Sequence, residues 1–393
     1  MLDKRHYDRP TVLVALFFIL TTSIVLYRDI SSRQLLVFIV GTGIGLTLIH
    51  SGFGFTGAWR VFITRRQSLG IRAQIILFAI ASIVMFPLVA GVFSSETYSA
   101  ALGPIAFSVL FGAFLFGIGM QLGGGCGSGT LSTSGQGQID MLLTIVFFIV
   151  GSYIGTMHLD WWISFANLGT FSFIKSIGWI PALTLQLTFL IAIYMIVRKI
   201  DIQKNGAIEK LALSANSNKN PLTYIFGDWP ILWGSILLAL LAISTLLLTG
   251  HTWSITFAFG LWGAKIWQAL GGNPELSLYW SSGYPARALN SSVLTDVTSV
   301  MNMGILLGAM LAAALANKFS PPMVLNYRRM LTAVLGGLLL GYGARLAFGC
   351  NIGALLAGIT TGSAHAWVWL LGGATGNVLG IKLRLWLEHR QRV

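Results

Sequence analysis

The chain holds two cysteines in 393 residues, and both stand in one local pattern. The first copy reads Gly117-Ile-Gly-Met-Gln-Leu-Gly-Gly-Gly-Cys126-Gly-Ser-Gly-Thr-Leu131. The second reads Gly341-Tyr-Gly-Ala-Arg-Leu-Ala-Phe-Gly-Cys350-Asn-Ile-Gly-Ala-Leu355. At an offset of 224 (350 − 126) they agree at seven of fifteen positions, the cysteine and its preceding glycine among them. A thiol among glycines offers a soft, polarisable contact that backbone groups can approach closely. The spacing fits no zinc, CxxC or disulfide-framework pattern. The repetition reads as one paired site, built by two half-copies of one fold.

After each cysteine comes a polar, glycine-rich segment, Gly127–Gln138 and Asn351–Ser363, without a charged residue. Irregular backbone at membrane depth persists only where it lines a cavity or is buried in protein. Short helices starting near the cysteines would aim N–H groups and positive dipole ends at the middle of the membrane, where they attract an anion. The contact candidates are Cys126, Cys350, Gly125, Gly127, Ser128, Gly349 and Asn351. His50, Gly54, Gln121 and Arg345 are weaker candidates for the path. Arg345 is the basic residue read as lying within a span, where an ionisable group is either functional or snorkels to the interface. His158 and His365 sit at span ends and read as interfacial. All twelve carboxylates fall in tails, loops or span ends, so none is placed mid-span to relay protons or hold sodium. No Ser/His/Asp set, metal-spaced histidines or nucleotide loop appears, so no enzyme activity, cofactor or metal is expected.

The composition sets the frame for this site. At 55% hydrophobic and 9% charged, with mean hydropathy +0.77, the chain belongs in a lipid bilayer. The net charge of +13 suits the basic cytoplasmic loops of a membrane protein better than a nucleic-acid partner, which is not expected. Ten spans are predicted, at about 11–28, 35–50, 72–94, 103–122, 139–157, 178–198, 229–250, 297–316, 329–347 and 365–386. Trp253–Gly271 is read as a short or re-entrant helix. With both termini inside, nineteen Lys/Arg fall on the inner side and five outside, with Arg345 left in a span; this obeys the positive-inside rule. Cys126 and Cys350 then enter from opposite faces, as in an inverted-topology repeat. A second match, Phe53–Ala58 with Phe259–Ala264 at offset 206 (259 − 53), supports the pairing. The expected architecture is an all-α polytopic membrane protein, an inverted repeat with short re-entrant helices meeting at a central waist. Its parts are an N-terminal tail and extra span (1–34), repeat 1 (35–157), a connecting span and cytoplasmic linker (158–228), repeat 2 (229–386) and a tail (387–393).

At these residues the chain resembles the YeeE/YedE family of bacterial inner-membrane proteins, which includes thiosulfate uptake transporters. The resemblance runs from about residue 35 to 386. It rests on Gly-Gly-Cys126-Gly-Ser-Gly, on Gly343-Ala-Arg-Leu-Ala-Phe-Gly-Cys350-Asn and on the pattern around Phe55–Arg60. It implies substrate handed between path-lining cysteines through contacts to its terminal sulfur, without lasting covalent chemistry. Many relatives carry a third cysteine in the first re-entrant segment, where this chain has Gly54. The expectation is an inner-membrane, multi-pass transporter taking up a small sulfur-containing anion, thiosulfate first, with both termini cytoplasmic. Other readings are transport of another sulfur or selenium species, a membrane thiol oxidoreductase using the cysteines as a redox couple, and a scaffold for a cytoplasmic sulfurtransferase partner.

Overall fold

The computed structural model describes residues 7–93, 98–211, 221–320 and 326–389. Helix α1 (Arg9–Val25) runs on into a π-helical turn, Leu26–Ile30. A first series follows: α2 (Ser32–Ser51), α3 (Phe55–Arg65), α4 (Leu69–Val89), α5 (Phe107–Gly123), α6 (Gly127–Gly135) and α7 (Ile139–Ile163). Short α8 (Phe173–Ile177) leads into α9 (Trp179–Asn205). The second series begins with α10 (Ile231–Thr249), α11 (Thr256–Ala269), α12 (Leu278–Ser281) and α13 (Gly283–Leu289). It continues through α14 (Val297–Leu315) and α15 (Tyr327–Leu346) to a π-helical stretch, Asn351–Leu356, then α16 (Ala357–Thr360) and α17 (His365–His389). Two short strands, β1 (Pro104–Ala106) and β2 (Asn167–Thr170), pair antiparallel between helices.

Among the described residues, nine helical stretches are long and apolar enough to cross a bilayer. Helix α17 occupies the tenth predicted span and has 25 residues, but Asn377, Lys382 and Arg384 dilute its apolar run. The protein is therefore an all-α polytopic membrane protein. Helix α11 has 14 residues, about 21 Å at 1.5 Å per residue, which is short of a bilayer core of about 30 Å.

Local sequence accounts for the helix ends. Asp8, Ser31, Asp296 and Asn326 cap α1, α2, α14 and α15 by accepting from backbone N–H groups. Gly52 and Gly124 stop α2 and α5 in the left-handed conformation, at φ 61° and 83°. The starts of α3 and α6 differ: Gly54 and Cys126 supply no side-chain cap among the described residues.

The helices pack in matched pairs. Helix α15 lies on α7 as α17 lies on α5, and α14 lies on α2 as α10 lies on α4. Helix α6 touches α14, and α16 touches α4. Helices α1 and α9, set outside the repeat on sequence grounds, take matching places: α1 lies on α14 and α9 on α4. Glycines let these backbones meet. A Cβ on Gly117 would lie 2.5 Å from Gly373 O, and one on Gly119 2.8 Å from Leu340 N. A Cβ on Gly343 would lie 2.5 Å from Gly112 O, and one on Gly341 would collide with Phe148 O. The early glycines of both cysteine motifs are thus contact points between helices.

Three details differ from the sequence reading. Helices α3 and α11 start 201 residues apart (256 − 55). Phe53 precedes α3 whereas Phe259 lies inside α11, so the offset-206 match does not align the helix starts. The helices after the cysteines do keep the 224 offset (351 − 127), and α12 and α13 occupy the extra length before α14. Second, the cytoplasmic linker expected after the 178–198 span begins as helix, because α9 runs to Asn205. Ser68 N and Oγ both donate to Asp201 Oδ2 at 2.7 Å, tying α9 to the start of α4. Residues 212–220 of that linker lie outside the described residues, as do Lys4, Arg5, Arg390 and Arg392. Third, Arg345 is not alone inside a span: Arg72 is buried in α4 and donates to Glu209 O at 2.6 Å.

Candidate anion path at the paired cysteines

Cys126 is the N-cap of α6, at φ −88° and ψ −170°. Cys350 is the N-cap of the π-helical stretch, at φ −94° and ψ −167°. The two backbones match within a few degrees. Both side chains are free thiols, 1% and 0% exposed. Cys126 Sγ lies 3.4 Å from Ser128 Oγ, and Cys350 Sγ accepts from Ile352 N at 3.4 Å. The preceding glycines also correspond. A Cβ on Gly125 would lie 2.8 Å from Thr130 N, and one on Gly349 2.7 Å from Ala354 N. Each helix folds back so closely over the glycine before its cysteine that a side chain has no room there.

The two helix starts meet. A Cβ on Gly127 would lie 3.3 Å from Cys350 Sγ and 3.3 Å from Ile255 Cγ2. The first residue of α6 therefore faces the thiol of the other motif, and an added methyl group would sit tightly against it.

On one side of this contact lies a cavity of ≈ 230 Å³. Cys126, Gly125, Ser128 and Gly129 line it from the α6 side, and Gly54, Phe55, Thr56 and Gly57 from the start of α3. The first N–H groups of a helix have no partner inside it. Two such ends face one small space, and each carries the positive pole of its helix dipole. The arrangement can hold a small anion by backbone N–H groups, with a thiol beside it. On the other side, Cys350 packs under Ile255 and Gly127. Asn302 Nδ2 donates to Ile255 O at 3.0 Å. Asn351 is fully buried, and neither atom of its amide finds a hydrogen-bond partner among the described residues. An unpartnered buried amide is costly, and this one is next in sequence to Cys350.

The structure thus brings Cys126, Gly125, Ser128 and Gly54 to one cavity, with Gly127, Cys350, Gly349 and Asn351 directly behind it. The other three candidates stand apart. His50 turns toward the linker, with its ring 5.1 Å from that of Trp229. Gln121, buried within the first motif, does not line the cavity; it accepts from Arg60 Nε at 2.8 Å and donates to O of the lining residue Thr56 at 3.4 Å. Arg345 neither snorkels nor reaches the cavity. It is 9% exposed and donates to Tyr279 OH at 2.7 Å and to Thr256 O at 3.1 Å, holding the start of α11. His365, at the start of α17, is buried, with Nδ1 2.7 Å from Ser363 Oγ. Sequence reasoning missed Asn302, fully buried with Oδ1 unpartnered among the described residues. Its signal was available: it is an amide in the middle of the apolar helix Val297–Leu315.

Gly54 carries a prediction. A Cβ there meets nothing within 4 Å, and φ −150° with ψ 133° suits any residue. Gly54→Cys is expected to fold and melt like the parent, and its thiol to react with a small charged maleimide from the cavity. A thiol that stays unreactive in the folded protein would place Gly54 away from the accessible path.

Discontinuous helices whose starts meet inside a bundle of spanning helices define the architecture of a membrane transporter. A family model described as sulphur transport matches residues 50–379, and the chain belongs to that family. The chain is 36% identical over 138 residues to the probable transporter YedE of Salmonella typhimurium, which is 35% of this chain and 33% of the relative. That match spans about a third of the relative's length. The chain is also similar to two thiosulfate transporters named TsuA. It is 25% identical to that of Spirochaeta thermophila over 84% of this chain and 92% of the relative. It is 23% identical to that of Escherichia coli over 89% and 93%. These names are those of transporters and not of enzymes.

Proposed function

We propose that the protein takes up a small sulfur-containing anion, thiosulfate first, across the bacterial inner membrane. The observation that carries this reading is the pair of N-cap cysteines with one backbone conformation, meeting at Gly127. The anion enters the field of the helix starts, and its terminal sulfur contacts one thiol and then the other. No bond to sulfur needs to form, because soft, polarisable atoms attract at contact distance. The oxygen atoms are taken by N–H groups and by Ser128 and Asn351. The TsuA relatives, matched along nearly their whole length, support thiosulfate as the cargo. The matched helix packing supports the inverted repeat, with the two halves entering from opposite faces and α1 and α9 as corresponding elements. The Lys/Arg distribution supports cytoplasmic termini.

The test is uptake of radiolabelled thiosulfate by the purified chain in proteoliposomes. Uptake should exceed that of empty vesicles, with unlabelled thiosulfate competing well and sulfate poorly. A thiol oxidoreductase built on the same cysteines would leave the label outside, and that result would overturn the proposal. A reporter active only in the periplasm, fused after Val393, should stay silent; activity there would reverse the assigned orientation.

A further inference from the structure

A second cavity, ≈ 570 Å³, lies beside the first, and Gly124 and Thr133 line both. Among the described residues its wall carries Arg60, Arg328, Arg329, Arg384 and Asp140. The arginines come from three helices, α3, α15 and α17. Buried Gln121 organises two of them: its Oε1 accepts from Arg60 Nε at 2.8 Å and its backbone O from Arg384 Nη1 at 3.1 Å. Gln121 Nε2 is itself fixed by donating to Asn377 Oδ1 at 2.6 Å. Arg328 and Arg329 stand in the first turn of α15, where a cation opposes the helix dipole. A general excess of basic residues on the cytoplasmic face accounts for arginines in loops. It does not account for four that converge on one cavity, two at an unfavourable helix end and two fixed by a glutamine five residues before Cys126.

We propose that this cavity is a second anion site, a holding site for the transported sulfur dianion between Cys126 and the cytoplasm. The proposal rests on the reading of Cys126 as part of the path. The two sites recognise different atoms. Guanidinium forks pair with the oxygens of an oxyanion, so the arginine site reads charge and oxygen geometry and ignores the terminal sulfur. It binds sulfate and thiosulfate alike, whereas the cysteine site prefers thiosulfate. The phosphate of an anionic lipid headgroup shares this chemistry, and the experiment separates the two sources.

The test is equilibrium binding of radiolabelled thiosulfate to the purified full chain in a neutral detergent. Two classes of bound label are expected, one displaced by excess sulfate and one resistant to it. The double variant Arg328→Gln/Arg329→Gln changes exposed residues and should fold, which its elution and melting check. It should weaken the sulfate-sensitive class at least tenfold and leave the resistant class unchanged. Arg384→Gln should act in the same direction. Cys126→Ser should do the reverse. If the arginine variants fold and bind label as the parent does, the holding site is refuted. If Cys126→Ser leaves the resistant class intact, the cysteine path falls while the arginine site stands. In phosphatidylcholine vesicles the sulfate-sensitive class should persist. It should also persist with phosphatidylglycerol; complete loss there would assign the cavity to a lipid headgroup and overturn its role in transport.

Discussion

Cys126→Ser and Cys350→Ser are each expected to cut thiosulfate uptake by about tenfold or more, a rise of about 1.4 kcal/mol in the barrier. The exchange keeps the side chain nearly the same size in a site where both thiols are buried. Packing therefore changes little, and expression and melting should stay near those of the parent. What is lost is the polarisable sulfur and its weak S–H donor. The loss should fall on thiosulfate rather than on an all-oxygen anion, because only the former presents a soft terminal atom. The double variant should lose little more than either single one if the two thiols act in series on one path. Initial uptake rates in proteoliposomes, normalised to reconstituted protein, give the answer. Serine variants that transport at the parental rate would reduce the cysteines to packing residues and move recognition to the glycines and helix N–H groups.

Gly341→Val is expected to remove most of the folded protein. A Cβ at Gly341 would collide with Phe148 O and Ser152 N on α7. These are backbone atoms inside a helix and have no rotamer by which to yield. Overpacking a core costs roughly 1–3 kcal/mol where side chains can adjust; here the α15–α7 pair would have to separate. Gly117→Val should behave alike, since its Cβ would meet Gly373 O of α17 at 2.5 Å. Monodisperse yield and melting temperature in detergent measure the effect, with Gly54→Cys as the neutral control. A Gly341→Val protein that melts with the parent would show that α15 and α7 do not pack as described.

The sequence announces this site where its chemistry departs from that of lipid-facing helix. Gly127–Gln138 is too polar to face lipid, so a short helix starting at Cys126 followed from composition, and the 224 offset carried the same reading to Cys350. The Phe53–Ala58 match links α3 with α11 but sets them five residues out of register (206 − 201), because Phe53 precedes α3 whereas Phe259 lies inside α11. His50 looked like a lining residue from its neighbours in sequence, but its ring lies against that of Trp229, 179 residues away (229 − 50). The roles of α1 and α9 were hidden because they depend on partners, α14 and α4, distant along the chain. The Arg60–Gln121–Arg384 cluster was hidden for the same reason, because it joins helices that only tertiary packing brings together.

The glycine contacts among α5, α7, α15 and α17 bear on how the protein can move. Where backbones touch, no layer of long side chains remains to slide or re-pack, so a rocking motion of one half against the other would have to break the closest contacts in the bundle. Movement is cheaper in the short pieces that end at the cysteines. The π-helical stretch Asn351–Leu356 passes directly into α16, so a π-to-α change within it would shift one residue at Cys350 while the frame stays still. In a stiff four-helix frame with soft inserts, any opening would fall on the helix turns beside the thiols.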